Sequence, residues 1–87
     1  MEIIYSIKAL EDIAYWKRSG NVAVQRKISA LLDDIAAHPY SGLGKPEALK
    51  HQLSGSWSRR ITQIDRLVYS VNIETNTIEI ETARGHY

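Results

Sequence analysis

"RLVYSVNIETNTIEIETA", residues 66–83, carries the pattern that decides the fold. Ile78 and Ile80 alternate with Glu79 and Glu81, as expected of an antiparallel strand buried on one side and wet on the other. The run before it, residues 66–73, is rich in β-branched and aromatic residues and reads as a second strand. The polar residues Glu74–Asn76 between the two predict a turn. Working backward, "WSRRITQI" (57–64) is a third strand, joined to the run at 66–73 through a tight turn near Gln63–Asp65. "LKHQL" (49–53) reads as a short extended arm or edge strand.

Further upstream the period changes from two to about 3.6. Leu10, Ile13, Ala14 and Trp16 recur at helical spacing, which predicts a helix from Lys8 to Ser19 with Glu11 and Asp12 in its first turn. Gly20 and Asn21 then interrupt the chain. Val24, Ile28, Leu31, Leu32 and Ile35 form one apolar stripe of a second helix over residues 22–37. Asn21 is placed to cap its start, and Pro39 after His38 marks its end. Helices joined this tightly form an antiparallel hairpin. "EIIYSI" (2–7) supplies an opening strand. The expected architecture is a single α+β domain over residues 1–87, in the order β-α-α-β-β-β-β. A small antiparallel sheet carries the helical hairpin on one face.

Composition narrows the function classes. The 87 residues are 44% apolar and 24% charged, as in a globular domain with one modest core. The chain contains no cysteine, so it holds neither disulfides nor a thiolate metal site, in keeping with a reducing cytoplasm. No apolar stretch reaches the roughly 20 residues that span a bilayer, and the opening residues lack the pattern of a signal peptide. Net charge is only +1, but it is unevenly spread. Residues 44–66 hold five basic residues (Lys45, Lys50, Arg59, Arg60, Arg66) against Glu47 and Asp65. That is a candidate anion-binding surface, although a solvated charged face has the same composition.

The loop "HPYSGLGKPEAL" (38–49) contains both prolines and two of the five glycines, at a length where loops tend to be functional. His38, His51 and His86 fall at no metal-ligand spacing, so no metal or cofactor is expected. Cleaving RNA without a metal requires a base for the ribose 2′-hydroxyl, cations for the charged phosphorane and an acid for the leaving 5′-oxygen. Glu47, Lys50, Arg59 or Arg60, Arg66, His86 and Tyr87 are residues of the right kinds. Arg59 and Arg60 are adjacent on a strand and point to opposite faces, so at most one can serve a given site. Trp16, Trp57 and Tyr69 are assigned to packing between helices and sheet. On these grounds alone the chain is a small α+β domain with a candidate anion-binding surface.

A series of phrases adds to this: G-x-G-K-P-E at 42–47, L-K-H at 49–51, L-S-G-x-W-S-R-R-I at 53–61, R-L-V-Y at 66–69 and H-Y at 86–87. With "IIYS" at 3–6, "YW" at 15–16 and P-Y-x-G at 39–42, the whole chain resembles the YoeB/Txe toxins of bacterial toxin–antitoxin modules, within the RelE-like superfamily. The resemblance implies a cytoplasmic, metal-independent endoribonuclease that cuts mRNA in the ribosomal A site and arrests translation. It also implies neutralisation by a YefM/Phd-type antitoxin, contact with operator DNA only through the antitoxin complex, a homodimer, and no membrane partner. The family's catalytic set falls on Glu47 as general base, His86 as general acid, Arg66 on the phosphorane and Tyr87 positioning the phosphate or His86. Lys50 and Arg60 match positions lining its RNA groove. The alternative reading is a non-catalytic RelE-like module that binds antitoxin, ribosome or nucleic acid. Gly85 departs from the family pattern, since relatives often place an aromatic residue there, and it predicts a looser hinge before the last two residues.

Overall fold

The computed structural model describes residues 1–85. The elements follow in the order β1 (Glu2–Tyr5), α1 (Ile7–Ser19), α2 (Val22–Ala37), β2 (Glu47–Ala48), a short 3-10 turn (His51–Leu53), β3 (Ser56–Arg60), β4 (Arg66–Asn72) and β5 (Thr77–Thr82). The α+β class and the element order agree with the expectation from sequence. The five strands form one sheet in the order β1-β5-β4-β3-β2. Strands β2 to β5 pair antiparallel, whereas β1 joins the edge parallel to β5, with Ile3 opposite Ile78. The sheet is therefore mixed rather than wholly antiparallel. The apolar pattern of a four-residue strand records that it pairs, not the direction of its partner.

Local chemistry sets the element boundaries. Ser6 ends β1 instead of extending it, because its side-chain oxygen accepts the Ala9 N–H and caps α1. The helix thus starts at Ile7, and Glu11 and Asp12 lie beyond its first turn. Asp12 is buried among polar partners instead: it pairs with Lys8 and accepts the Ala83 N–H at 2.9 Å. Asn21 caps α2 as expected, accepting the Val24 N–H at 3.1 Å. Strand β3 ends at Arg60, because Thr62 and Asp65 close a turn by mutual hydrogen bonds. In residues 49–53 only Leu49 keeps a sheet bond, donating to the Ser56 carbonyl at 2.9 Å, and the 3-10 turn follows.

Both helices pack on one face of the sheet. Trp16, Ile28, Leu31 and Ile35 meet Leu67, Tyr69, Ile78 and Ile80, and these side chains form the core. The antiparallel register then fixes the other face by alternation: Glu47 opposite Ser58, Ser58 opposite Val68, and Arg60 opposite Arg66. The loop before β2 is seated by Gly44, whose carbonyl accepts the Arg60 N–H at 2.7 Å and whose φ is +80°. A Cβ at Gly44 would stand 2.7 Å from Leu31 Cδ2 and 3.2 Å from the Arg60 carbonyl. Gly44→Ala is expected to cost about 2 kcal/mol through this clash and the left-handed backbone. In a domain of this size that lowers Tm by roughly 10 °C. Thermal unfolding followed by circular dichroism checks it, and an unchanged Tm would contradict this seating of the loop.

Candidate active site

The face away from the helices carries the acid and bases singled out in the sequence. Strand β2 places Glu47 on it, exposed, and the turn after β2 brings Lys50 and His51 alongside. Glu47, Lys50, His51 and Leu53 line one hollow of about 240 Å³. Arg60 and Arg66 stand directly opposite each other at the paired ends of β3 and β4. Glu47 lies two strands and one side-chain repeat away from Arg66, roughly 12 Å between Cα atoms by ordinary strand geometry. An extended glutamate and an arginine can close on one phosphodiester across that gap. The Arg66 guanidinium is half-buried and rests on the turn before it, with Nη1 donating to the carbonyls of Thr62 (3.2 Å), Gln63 (3.3 Å) and Asp65 (3.3 Å).

Arg59 takes the opposite face, as alternation requires, but its role is structural and was not legible in the sequence. Its side chain is fully buried. Nε donates to the Tyr69 hydroxyl at 3.1 Å, and Nη1 donates to Asp34 and, at 2.8 Å, to the Leu43 carbonyl. Nη2 donates to the His38 carbonyl at 2.5 Å and the Ser41 carbonyl at 3.1 Å. Tyr69 in turn donates to the Pro39 carbonyl at 2.6 Å. This cluster ties the loop over residues 38–44 to the sheet and so fixes where the chain enters β2 and presents Glu47. The hydrogen bond from Arg59, then the Leu43 N–H, holds the Asp34 carboxyl below its ordinary pKa of 3.8. Burial pushes the Tyr69 hydroxyl above its ordinary 10.0. The only signal available beforehand was that one of two adjacent strand arginines had to face the core.

The end of β5 is held on several sides. A bulge lies where β4 steps once, from Tyr69 to Val68, while β5 steps from Ile80 to Thr82. Beyond it, the fully buried Ala83 donates its N–H to Asp12 and accepts the Trp16 indole N–H at 2.9 Å. The Arg84 guanidinium lies 3.5 Å from the centre of the Tyr15 ring. Gly85 donates its N–H to Asp65 Oδ1 at 2.8 Å and accepts the Arg66 N–H at 2.7 Å. At Gly85 no packing contact replaces the aromatic residue that relatives often carry, yet both of its backbone polar groups are bonded, at φ +79°, a conformation that glycine adopts readily. The hinge expected beyond it falls outside the described residues.

Of the six site residues named from sequence, the structure brings Glu47, Lys50, Arg60 and Arg66 to one face. His86 and Tyr87 lie outside the described residues. Trp16 and Tyr69 belong to the core and Trp57 packs against it, as expected from sequence.

Comparison with known proteins follows the same lines. The sequence model of the YoeB-like toxin of bacterial type II toxin–antitoxin systems matches residues 5–87. Toxin YoeB of Escherichia coli K12 is 44% identical over 87 residues, covering 100% of both chains. A YoeB/ParE toxin from Agrobacterium tumefaciens superposes with a TM-score of 0.94 at 36% identity, over 100% of both chains. The YoeB of Staphylococcus aureus has been solved in a heterotetrameric complex with YefM (TM-score 0.87) and as a dimer (TM-score 0.88). In both it is 39% identical over 100% of this chain and 98% of that one.

Proposed function

Because the chain belongs to the YoeB-like toxins of bacterial type II toxin–antitoxin systems, we propose that it cuts ribosome-bound mRNA by general acid–base chemistry without a metal ion. The observation that carries this reading is the placement of Arg60 directly opposite Arg66, on the face that also bears Glu47. Like charges opposed across two strands destabilise a sheet unless an anion lies over them. A phosphodiester is such an anion, and a carboxylate within reach of its 2′-hydroxyl gives it a reaction.

In this mechanism Glu47 takes the 2′-hydroxyl proton as the 2′-oxygen bonds to phosphorus. Arg66 stabilises the phosphorane with its fork of N–H donors, and Lys50 and Arg60 hold the flanking backbone. The P–O5′ bond breaks as His86 protonates the leaving oxygen, with Tyr87 positioning the phosphate or His86. The products are a 2′,3′-cyclic phosphate and a 5′-hydroxyl. A carboxylate is a weak base at neutral pH, so the rate depends on positioning, which a ribosome supplies by pre-orienting the message. The 2′-hydroxyl nucleophile restricts the reaction to RNA. By analogy with the S. aureus assemblies, the natural inhibitor is a YefM-type antitoxin and the toxin pairs with a second copy. A toxin that acts on translating ribosomes works in the cytoplasm.

Inducible expression with and without the neighbouring antitoxin gene, followed by mapping of message 5′ ends, tests the proposal. Cuts inside codons at ribosome-bound positions are expected, and co-expressed antitoxin should suppress them. Deleting residues 86 and 87 should lower cleavage at least about 100-fold, the usual contribution of a general acid, with an unchanged circular-dichroism spectrum. Full activity in that truncation would remove the tail from the mechanism. Equal translation arrest by wild type and His86→Ala would instead indicate a non-catalytic binding module.

A further inference from the structure

Asp65 lies in the turn between β3 and β4, one residue before the arginine assigned to the phosphorane. It is one of few buried charged residues, and both carboxylate oxygens are engaged. Oδ2 accepts the Thr62 hydroxyl at 2.8 Å, and that hydroxyl oxygen accepts the Asp65 N–H at 2.9 Å and the Ile64 N–H at 3.2 Å. The Asp65 carbonyl accepts the Ile61 N–H at 2.9 Å and also receives Nη1 of Arg66. The turn is thus braced from within. Oδ1, the remaining oxygen, points away from it and accepts the Gly85 N–H at 2.8 Å. The next residue completes the grip, because the Arg66 N–H donates to the Gly85 carbonyl at 2.7 Å. One turn therefore holds the Arg66 side chain and, at the same time, the backbone from which His86 and Tyr87 depart.

We propose that Asp65 is a positioning residue for the reaction: its carboxylate fixes the Gly85 backbone and so sets the departure of His86-Tyr87 relative to Arg66. The inference rests on the ribonuclease reading above. Asp65 touches neither substrate nor reacting atoms, and it acts through one main-chain hydrogen bond. The reason for a side-chain anchor lies in the glycine. Gly85 has no Cβ, and a Cβ there would meet no atom within 4 Å, so packing cannot seat this residue. Hydrogen bonds are the means available, and a charged acceptor makes a strong one to a backbone N–H. The bond from Arg66 links main chain to main chain and survives any substitution at 65. The bond from Asp65 is the one a side-chain change removes.

The test compares Asp65→Ala, Asp65→Asn and His86→Ala, each measured for message cleavage on ribosomes and for hydrogen exchange at single amides. Asp65→Ala is expected to lower kcat at least about tenfold with KM unchanged, as for a reacting group displaced by a fraction of an ångström. Its Gly85 amide should exchange at least about tenfold faster, while those of Ile78 and Ile80 keep their protection. Asp65→Asn retains an oxygen for Gly85 but loses the bond to Thr62, because both lone pairs of that hydroxyl already accept the Asp65 and Ile64 N–H groups. Its activity is expected to fall between those of Asp65→Ala and wild type. A merely structural aspartate would instead lose protection across β4 and β5 and move KM with kcat. Full kcat in Asp65→Ala, or Asn no better than Ala, overturns the proposal. His86→Ala separates the two layers. If it keeps full activity, the ribonuclease role of the tail falls. If it loses activity while Asp65→Ala does not, only the inference about Asp65 falls.

Discussion

Arg59→Met is expected to destabilise the domain by about 3–4 kcal/mol, because it removes a fully buried guanidinium and leaves the hydroxyl and carbonyls it bonded stranded. A domain of this length has roughly 4–13 kcal/mol in total, so the variant is marginal at physiological temperature. The size of the effect follows from what the guanidinium holds. Five hydrogen bonds from one side chain reach Asp34, the Tyr69 hydroxyl and the carbonyls of His38, Ser41 and Leu43. Methionine fills most of the volume but leaves those acceptors facing apolar surface. Chemical denaturation with a matched m-value measures the loss, and a change under about 1 kcal/mol would show that the cluster contributes little.

The same cluster gives stability a defined pH dependence. Asp34 has a lower pKa folded than unfolded, so it contributes stability present above its ordinary 3.8 and lost as pH falls through the lowered value. Tyr69 is raised above 10.0 by burial, so its contribution is present below 10.0 and lost as pH rises through the raised value. The gap between wild type and Arg59→Met should therefore be full above pH 3.8 and narrow in acid, where Asp34 is protonated and no longer stabilises the guanidinium.

Arg66→Ala is the second large effect, and it falls on activity. Removing a donor aimed at charge that develops in the transition state costs about 100- to 1,000-fold in kcat. Stability should shift by less than about 1 kcal/mol, since the guanidinium is half-buried and its three carbonyl contacts are long. Arg66→Lys keeps the charge but not the planar fork, so its activity should fall between those of alanine and wild type. Single-turnover cleavage on programmed ribosomes, with circular dichroism alongside, separates the two effects. Wild-type kcat in Arg66→Ala would remove this residue from the chemistry.

These two arginines also show what the sequence could and could not reveal. Alternation in residues 66–83 located β4 and β5, and Asn21 with Pro39 bounded α2, because capping and periodicity are local. Alternation also separated Arg59 from Arg60. It could not say that Arg59 closes a loop, since its five acceptors come from residues 34–43 and 69. Asp12 and Asp65 were missed for the same reason: each meets a backbone N–H, of Ala83 and Gly85, about 71 and 20 residues away. The parallel seat of β1 and the 3-10 turn at His51–Leu53 likewise depend on distant partners. Glu47, Lys50, Arg60 and Arg66 were legible as a set through their family phrases. Their common face became visible only in the register.

The parallel pairing of β1 with β5 bears on when such a toxin becomes dangerous during its own synthesis. β1 is made before β5, yet its hydrogen bonds wait for that strand, as does the Ser6–Glu81 contact across 75 residues. Contacts this remote delay folding until β5 has emerged. A nascent copy without β5 lacks the strand that seats β1 and the Gly85 carbonyl that accepts the Arg66 N–H. The topology acts as a timer, and the toxin's sheet is complete only once β5 has been made.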